Sequence, residues 1–339
     1  MPPQPDRRAL LALGAWTLGG WVLLAPRAMG ADMLVNLAEP APPPPPTEAA
    51  GDQVNAARDA ARRMSVEVRL NGQGPFTFVV DTGANVSVIA AETAAAIGLP
   101  PAGQAQVHGI AGAEATSTVK VDRLSVGQVT SRRLRLPVLP IAALGVQGLL
   151  GVDVLKDRRV VMDFQDSRLE IGPSGYDFTP SITGRIGDAD HDPDTVAVAA
   201  RYRSGQLLIV DASVANIPVT AFLDSGSQNT VANLALRQRL LERQPELAAT
   251  LANVELLSAT GQTASGELCL LPGLRLGGVK MTGLSAVFAD LHTFDIWGLK
   301  TKPAVLIGID VLRHFNAVEL DFGRRRVVFR APTGWRRPR

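Results

Sequence analysis

Two short stretches carry the chemistry of this sequence: Asp81-Thr82-Gly83 and Asp224-Ser225-Gly226. Each aspartate ends an apolar run, Phe78-Val79-Val80 in one case and Phe222-Leu223 in the other. A carboxylate at the end of a buried strand is costly unless donors meet it. The glycine two residues on permits a tight turn that brings backbone N–H groups to the carboxylate. The hydroxyl residue between them offers a bond across to another element. Two such carboxylates, if they meet, cannot both ionise at ordinary pH, so they share one proton. The ionised member takes a proton from water and the protonated member donates to a substrate carbonyl oxygen. This is hydrolysis by general acid–base catalysis, with no covalent intermediate. The two pKa values then belong to the pair and not to either residue.

What must position these acids is a repeated unit. The segment from Pro75 to Val88 matches the segment from Pro218 to Val231, with proline, threonine, aspartate, hydroxyl residue, glycine, a second hydroxyl residue and valine at the same offsets, 143 residues apart. Downstream, Leu149-Leu150-Gly151-Val152-Asp153-Val154-Leu155 matches Leu306-Ile307-Gly308-Ile309-Asp310-Val311-Leu312. Each is followed by a strand-like Asp-Phe, at Asp163-Phe164 and Asp321-Phe322. Several motifs in one order argue for a duplicated domain. Within the unit, Val66, Val68 and Leu70 alternate with polar residues before Asn71-Gly72-Gln73-Gly74 turns the chain,. A short helix is expected over Ala90 to Ile97, closed by Gly98 and blocked by Pro100,. Its counterpart is longer, from Ala232 to about Leu251 with a break near Pro245,. Many short strands with glycine turns predict all-β lobes. Two copies on one chain predict a pseudo-two-fold axis that imitates a symmetric dimer, with both aspartates facing it.

Asp81-Thr82-Gly83-Ala84 and Asp224-Ser225-Gly226-Ser227, each with its downstream apolar-apolar-Gly, resemble the retropepsin-like and pepsin-like aspartic proteases. Gly-x-Asp-x-Leu after the second motif is similar to the bacterial retropepsin-like group. The resemblance covers about residues 64 to 332. It implies an all-β fold with minor helices, built from two retropepsin-like β-barrel lobes related by a pseudo-two-fold axis. It implies an aspartic endopeptidase with Asp81 and Asp224 as the catalytic pair, supported by Thr82, Gly83, Ser225 and Gly226. It also implies a hairpin flap closing over a protein or peptide substrate. The flap candidate is Val107 to Ala113, with His108, Gly109, Ile110 and Gly112, glycine-rich as in the retroviral enzymes. No aromatic residue lies between Ala84 and Gly151, so the tyrosine of the pepsin flap has no counterpart. A second-lobe hairpin is expected near Thr260-Gly261-Gln262-Thr263. A non-catalytic peptide- or protein-binding module on the same fold is the alternative; both intact hydroxyl-Gly pairs weigh against it. A two-carboxylate glycosidase would not need that duplicated environment.

Composition narrows the field. Of the 34 basic residues, seven arginines fall in the last sixteen positions, which leaves 27 basic against 32 acidic residues in the body. A nucleic-acid partner is therefore not expected. The lone Cys269 excludes an intramolecular disulfide and a thiolate cluster, and His108, His191, His292 and His314 fit no zinc spacing,. No metal or cofactor is expected, and no G-x-S-x-G or Walker loop occurs,. Both acids lie on one chain, so a monomer is expected.

The ends read as export and spacing. Arg7 and Arg8 precede an apolar stretch from Ala9 to Ala25, and Ala28-Met29-Gly30 supplies the small residues of a cleavage site,. Residues 1–30 are thus expected to be an export signal, which predicts a periplasmic or extracellular protein. The alternative is an uncleaved anchor in the inner membrane, facing the periplasm. Residues 31–63 form a Pro/Ala-rich linker: Pro42 to Pro46 is a polyproline tether, and Asp52 to Met64 has a helical composition,. The first lobe is expected over 64–180, an acidic inter-lobe linker over 181–195, the second lobe over 196–332 and a basic tail over 333–339. Asp188 to Asp194 lacks the glycine of a calcium loop and reads as solvated linker,. Asp153 and Asp310 are expected to be helix N-caps, Asp163 and Asp321 strand-turn residues, and His108 a solvated loop histidine. Trp297 fits either a satellite core or a cleft wall.

Overall fold

The computed structural model describes residues 63–174, 195–203, 206–209 and 211–332, with the backbone of three short strands before them, Trp16–Thr17, Trp21–Leu24 and Gln53–Arg58. The chain is mostly β and bilobal. The first lobe closes on itself. Met64–Leu70 pairs with Gln73–Val80, which pairs in parallel with Gly148–Leu150. That strand pairs with Val88–Ala90, then come Val129–Leu139 and Ala113–Val126, and the last returns to Met64–Leu70. The six strands make a barrel with no free edge in the ring. Alternation sets the faces: Val66, Val68 and Leu70 are buried while Glu67 and Arg69 are exposed,. Phe78, Val79 and Val80 are all buried, because this strand is covered on both faces,. Asn71 and Gly72 both take positive φ, at 51° and 87°, in the tight hairpin between the first two strands,.

The second lobe repeats the order with interruptions. Thr220–Leu223 pairs in parallel with Ala304–Ile307, then follow Val231–Ala232, Ser285–Phe288 and Thr263–Leu270. The register is inherited: Ser65 opposite Val79 and Val66 opposite Phe78 become Leu208 opposite Phe222 and Ile209 opposite Ala221, each 143 residues on. Here the ring splits. Pro272-Gly273 breaks the strand that runs unbroken in the first lobe, and Leu274–Leu276 joins Ala212–Val214 in a separate four-stranded sheet,.

A third sheet joins the lobes. First-lobe strand Arg158–Asp163 pairs antiparallel with second-lobe strand Ala317–Asp321, flanked by Arg168–Pro173 on one side and by Arg326–Arg330 and Thr195–Arg203 on the other. The main hydrophobic cluster runs from Met64 through this sheet to Phe329, so the lobes share one core,. Arg159 donates to Glu319 across the junction at 2.7 Å, and both side chains are almost wholly buried. Glu319→Gln should destabilise the protein by about 1–3 kcal/mol, because a buried guanidinium loses its counter-charge. Urea unfolding reads this directly; an unchanged midpoint would show that the pair does not help hold the lobes together.

The helices fall near their expected places, at Ala91–Ala96 and at Leu234–Arg243, the latter followed by a 3-10 turn at Pro245–Thr250. Gly98, at φ 63°, follows the first. One expectation is corrected. Asp52 to Met64 contains no described helix; Gln53–Arg58 is a strand between Arg168–Glu170 and Met64–Val66. Two available sheet edges outweigh the helix preference of its alanines. Of the expected export signal, two strands are described: Trp16–Thr17 lies parallel to Val107–His108, and Trp21–Leu24 antiparallel to Glu255–Ser258. The rest of the signal, the polyproline tether, nearly all of the acidic linker and the basic tail lie outside the described residues. No helix among the described residues is long and apolar enough to cross a membrane.

Candidate active site

Asp81 directly follows the strand Gln73–Val80, and its backbone N–H donates to Leu150 O at 3.0 Å. Asp224 follows Thr220–Leu223, and its N–H donates to Ile307 O at 2.9 Å. Each aspartate is thereby tied to the apolar-apolar-Gly strand of its own lobe. Asp81 Oδ1 accepts from the N–H groups of Gly83 and Ala84, both at 2.9 Å. Asp224 Oδ1 accepts from Gly226 at 2.9 Å and Ser227 at 3.0 Å. These are the donors that the two glycine turns were expected to supply.

The hydroxyls knit the loops across the axis. Thr82 Oγ1 donates to Leu223 O at 2.9 Å and accepts from Ser225 N–H at 3.0 Å. Ser225 Oγ donates to Val80 O at 2.7 Å and accepts from Thr82 N–H at 3.2 Å. The result is a reciprocal four-bond lock in which each lobe's hydroxyl satisfies the other's backbone. It brings each carboxylate against the other lobe's loop. A methyl on Gly83 would overlap the Asp224 carboxylate, and one on Gly226 would overlap that of Asp81. Asp81 and Asp224 are essentially inaccessible, and Oδ2 of each has no hydrogen-bond partner in the protein.

Burial pushes both acids above the usual carboxylate range. For Asp81, the Arg63 guanidinium and the two N–H donors pull the other way. For Asp224, the neighbouring Asp81 charge adds to the rise,. The effect on stability has a definite sign. Between the unfolded and folded pKa of Asp224, the folded protein holds the extra proton, so stability falls as pH rises through the folded value. Below the unfolded value both states are protonated and this contribution disappears. Asp224→Asn should therefore melt higher than the wild type at neutral pH, with the gain shrinking toward pH 3. A variant no more stable than wild type at pH 7 would contradict a buried, strained charge.

A second layer braces each loop, and it corrects the reading of Asp153 and Asp310. Gly151 and Gly308, not these aspartates, occupy the N-caps of their helices. Asp153 Oδ1 accepts from Ser87 N–H at 2.9 Å and Ser87 Oγ at 2.7 Å. Ser87 Oγ in turn accepts from Gly151 N–H at 2.9 Å. Asp310 accepts from Thr230 N–H on Oδ2 at 2.9 Å and from Thr230 Oγ1 on Oδ1 at 2.8 Å, and Thr230 Oγ1 accepts from Gly308 N–H at 3.1 Å. The signal was present in the sequence as the second recurring hydroxyl, Ser87 and Thr230. A side chain at Gly151 or Gly308 would strike the loop backbone at Val86 or Asn229, which explains the glycine of the downstream motif,. Asp163 and Asp321 do close turns, accepting from Asp166 N–H and Arg324 N–H, each at 2.8 Å.

The hairpin tips cross between lobes. His108 and Ala113 bound a tip that carries Ile110 into the second lobe's cluster with Phe222, Leu256 and Trp297. Ala259, on the corresponding second-lobe tip, enters the first lobe's cluster with Val79, Val107 and Leu149. Gln262 accepts from Ala111 N–H at 3.3 Å and donates to Glu114 at 2.9 Å. Gly109 leaves no room for a methyl beside Thr260 and Gln262, whereas Gly112 faces open space. His108 is not the solvated loop residue expected: its Nδ1 lies 3.0 Å from His292 Nε2, and the rings stack. Burial, then His292, pushes its imidazole below the ordinary histidine value. A contact from the far lobe, 184 positions away, leaves no local sequence signal. Trp297 is core: it is buried and stacks on Phe222. Among the described residues no cluster of histidine, cysteine and acids has the make-up of a metal site.

The fold and paired loops define a bilobal, retropepsin-like architecture, and comparison with known families agrees. The aspartyl protease family model matches residues 66–154 and 210–311, one region in each lobe and together more than half the chain. The chain belongs to the aspartyl protease family. No curated protein matches it. The family supports a protease-type, hydrolytic function.

Proposed function

We propose that this protein is an exported, single-chain aspartic endopeptidase in which Asp81 and Asp224 activate one water molecule. The observation that carries this reading is the packing of each carboxylate against the other lobe's glycine across the pseudo-axis, each with Oδ1 held by two N–H donors and Oδ2 with no hydrogen-bond partner. The fixed Oδ1 atoms set the plane of each carboxyl, and the Oδ2 atoms are the ones left to exchange protons. One carboxylate takes a proton from water, the water oxygen bonds to the scissile carbonyl carbon, and the protonated partner gives its proton to the carbonyl oxygen. The resulting gem-diol breaks its C–N bond as the first acid passes its proton to the leaving nitrogen. A diol hydroxyl returns a proton to the second acid, restoring the pair. Thr82 and Ser225 hold the two loops at one separation through this cycle, while Gly83 and Gly226 let them approach. The crossed tips, with His108, Gly109, Ile110 and Gly112 on the first, must part or lift for an extended peptide to enter.

The test is cleavage profiling on a peptide library from acidic to neutral pH, with Asp81→Asn as control. Cleavage by the wild type that the control lacks supports the assignment. Sustained peptide binding without turnover would point instead to a binding module on the same fold.

A further inference from the structure

The pair is built by a two-fold repeat, yet its surroundings are not two-fold. Arg63 stands immediately before the strand Met64–Leu70 and is only 5% exposed. Its Nη2 donates to Leu144 O at 3.1 Å, on the segment leading into Leu149-Leu150-Gly151. Its Nη1 makes a long contact, 3.5 Å, with Gly226 O in the opposite loop. Gly226 is the residue packed against the Asp81 carboxylate. The guanidinium therefore reaches from the first lobe to the back of the second loop, at the glycine whose Cα faces the Asp81 carboxylate. The strand register gives its counterpart. Ser65 opposite Val79 repeats as Leu208 opposite Phe222, which maps Arg63 onto Gln206, an uncharged residue. The duplication thus carries a cation on one side of the axis and none at the matching position on the other.

We propose that Arg63 is a positioning residue that breaks the equivalence of the two aspartates, so that Asp81 is the ionised base facing water and Asp224 holds the shared proton for the carbonyl oxygen. This rests on the peptidase reading for its chemistry, but the asymmetry itself is a property of the resting protein. A buried guanidinium favours the charged form of the nearer carboxyl, and a low-dielectric surrounding lengthens its reach. The electrostatics agree: the Arg63 charge lowers Asp81, whereas the leading charge acting on Asp224 is Asp81 itself. Arg63 also spans from Leu144 in the first lobe to Gly226 in the second lobe's loop.

The experiment is a carboxyl carbon-13 NMR titration of the full chain, run on wild type, Arg63→Gln and Arg63→Lys, with kcat/KM against pH measured alongside. In Arg63→Gln the lower apparent pKa of the pair should rise by about one pH unit, a tenfold change in proton affinity. The acid limb of the rate profile should move with it, and Arg63→Lys should restore most of both. A folded Arg63→Gln protein that titrates like wild type overturns the proposal. Should that variant fail to fold, the single-carboxyl proteins decide. Asp81 alone, in Asp224→Asn, should titrate below Asp224 alone, in Asp81→Asn, and the reverse order overturns the proposal. The titration needs no turnover, so a wild type that cleaves nothing would count against the peptidase reading while leaving this result to stand or fall by itself.

Discussion

Asp81→Asn and Asp224→Asn are each expected to fold normally and to lose peptide cleavage by at least about a thousandfold, the scale of a lost general acid or base. Folding should survive because an asparagine oxygen accepts the same two N–H groups that each Oδ1 accepts now. Chemistry should not, because an amide neither takes the proton from water nor gives one to the carbonyl oxygen at these pH values. The two residues act as a unit, so the double variant should be little worse than either single one. Melting curves and steady-state cleavage by the same preparations check both halves. Cleavage retained by both purified single variants would refute the assignment, and a double variant far slower than either single would refute the idea of one shared proton.

Gly83→Ala and Gly226→Ala should be nearly as damaging, and for a reason that crosses the molecule. Neither glycine is needed for a positive φ. Each is needed because the other lobe's carboxylate occupies the space where a side chain would begin. A methyl at Gly83 must push Asp224 or separate the loops, and separation strains the bonds of Thr82 and Ser225. Overpacking of this kind costs about 1–3 kcal/mol of stability. Displacing a reacting group by about 1 Å costs roughly a hundredfold in rate. Loss of about a hundredfold or more in kcat with a lower Tm is the expected result. The two variants should behave alike, because the lock is reciprocal. Alanine variants that cleave at the wild-type rate would mean the loops are not in contact in the working enzyme.

Much of the fold could be read because duplication writes each instruction twice. The alternation of Val66, Val68 and Leu70, the turn at Asn71-Gly72 and the two aspartate loops are local patterns, and each depends on residues within a few positions. The role of Ser87 and Thr230 was half legible: their recurrence marked them, but not the aspartates, Asp153 and Asp310, that receive their hydroxyls. Those acids looked like helix caps because they sit at the start of short helices, and the bonds that claim them come from 66 and 80 residues away. The strand at Gln53–Arg58 was misread for a similar reason. Its composition favours a helix in isolation, and only the two sheet edges beside it decide otherwise.

The amino-acid order alone determined the repeat, the loop chemistry and the need for the two acids to meet, because each follows from residue type at short spacing. Tertiary structure decided what surrounds them: the exchange of Ile110 and Ala259 between lobes, the stacking of His108 on His292, and the reach of Arg63 from the first lobe to Gly226 in the second lobe's loop. Those are contacts between segments that no local pattern links. They depend on how two closely similar units pack, and packing is where copies of one sequence motif become different in charge and in role.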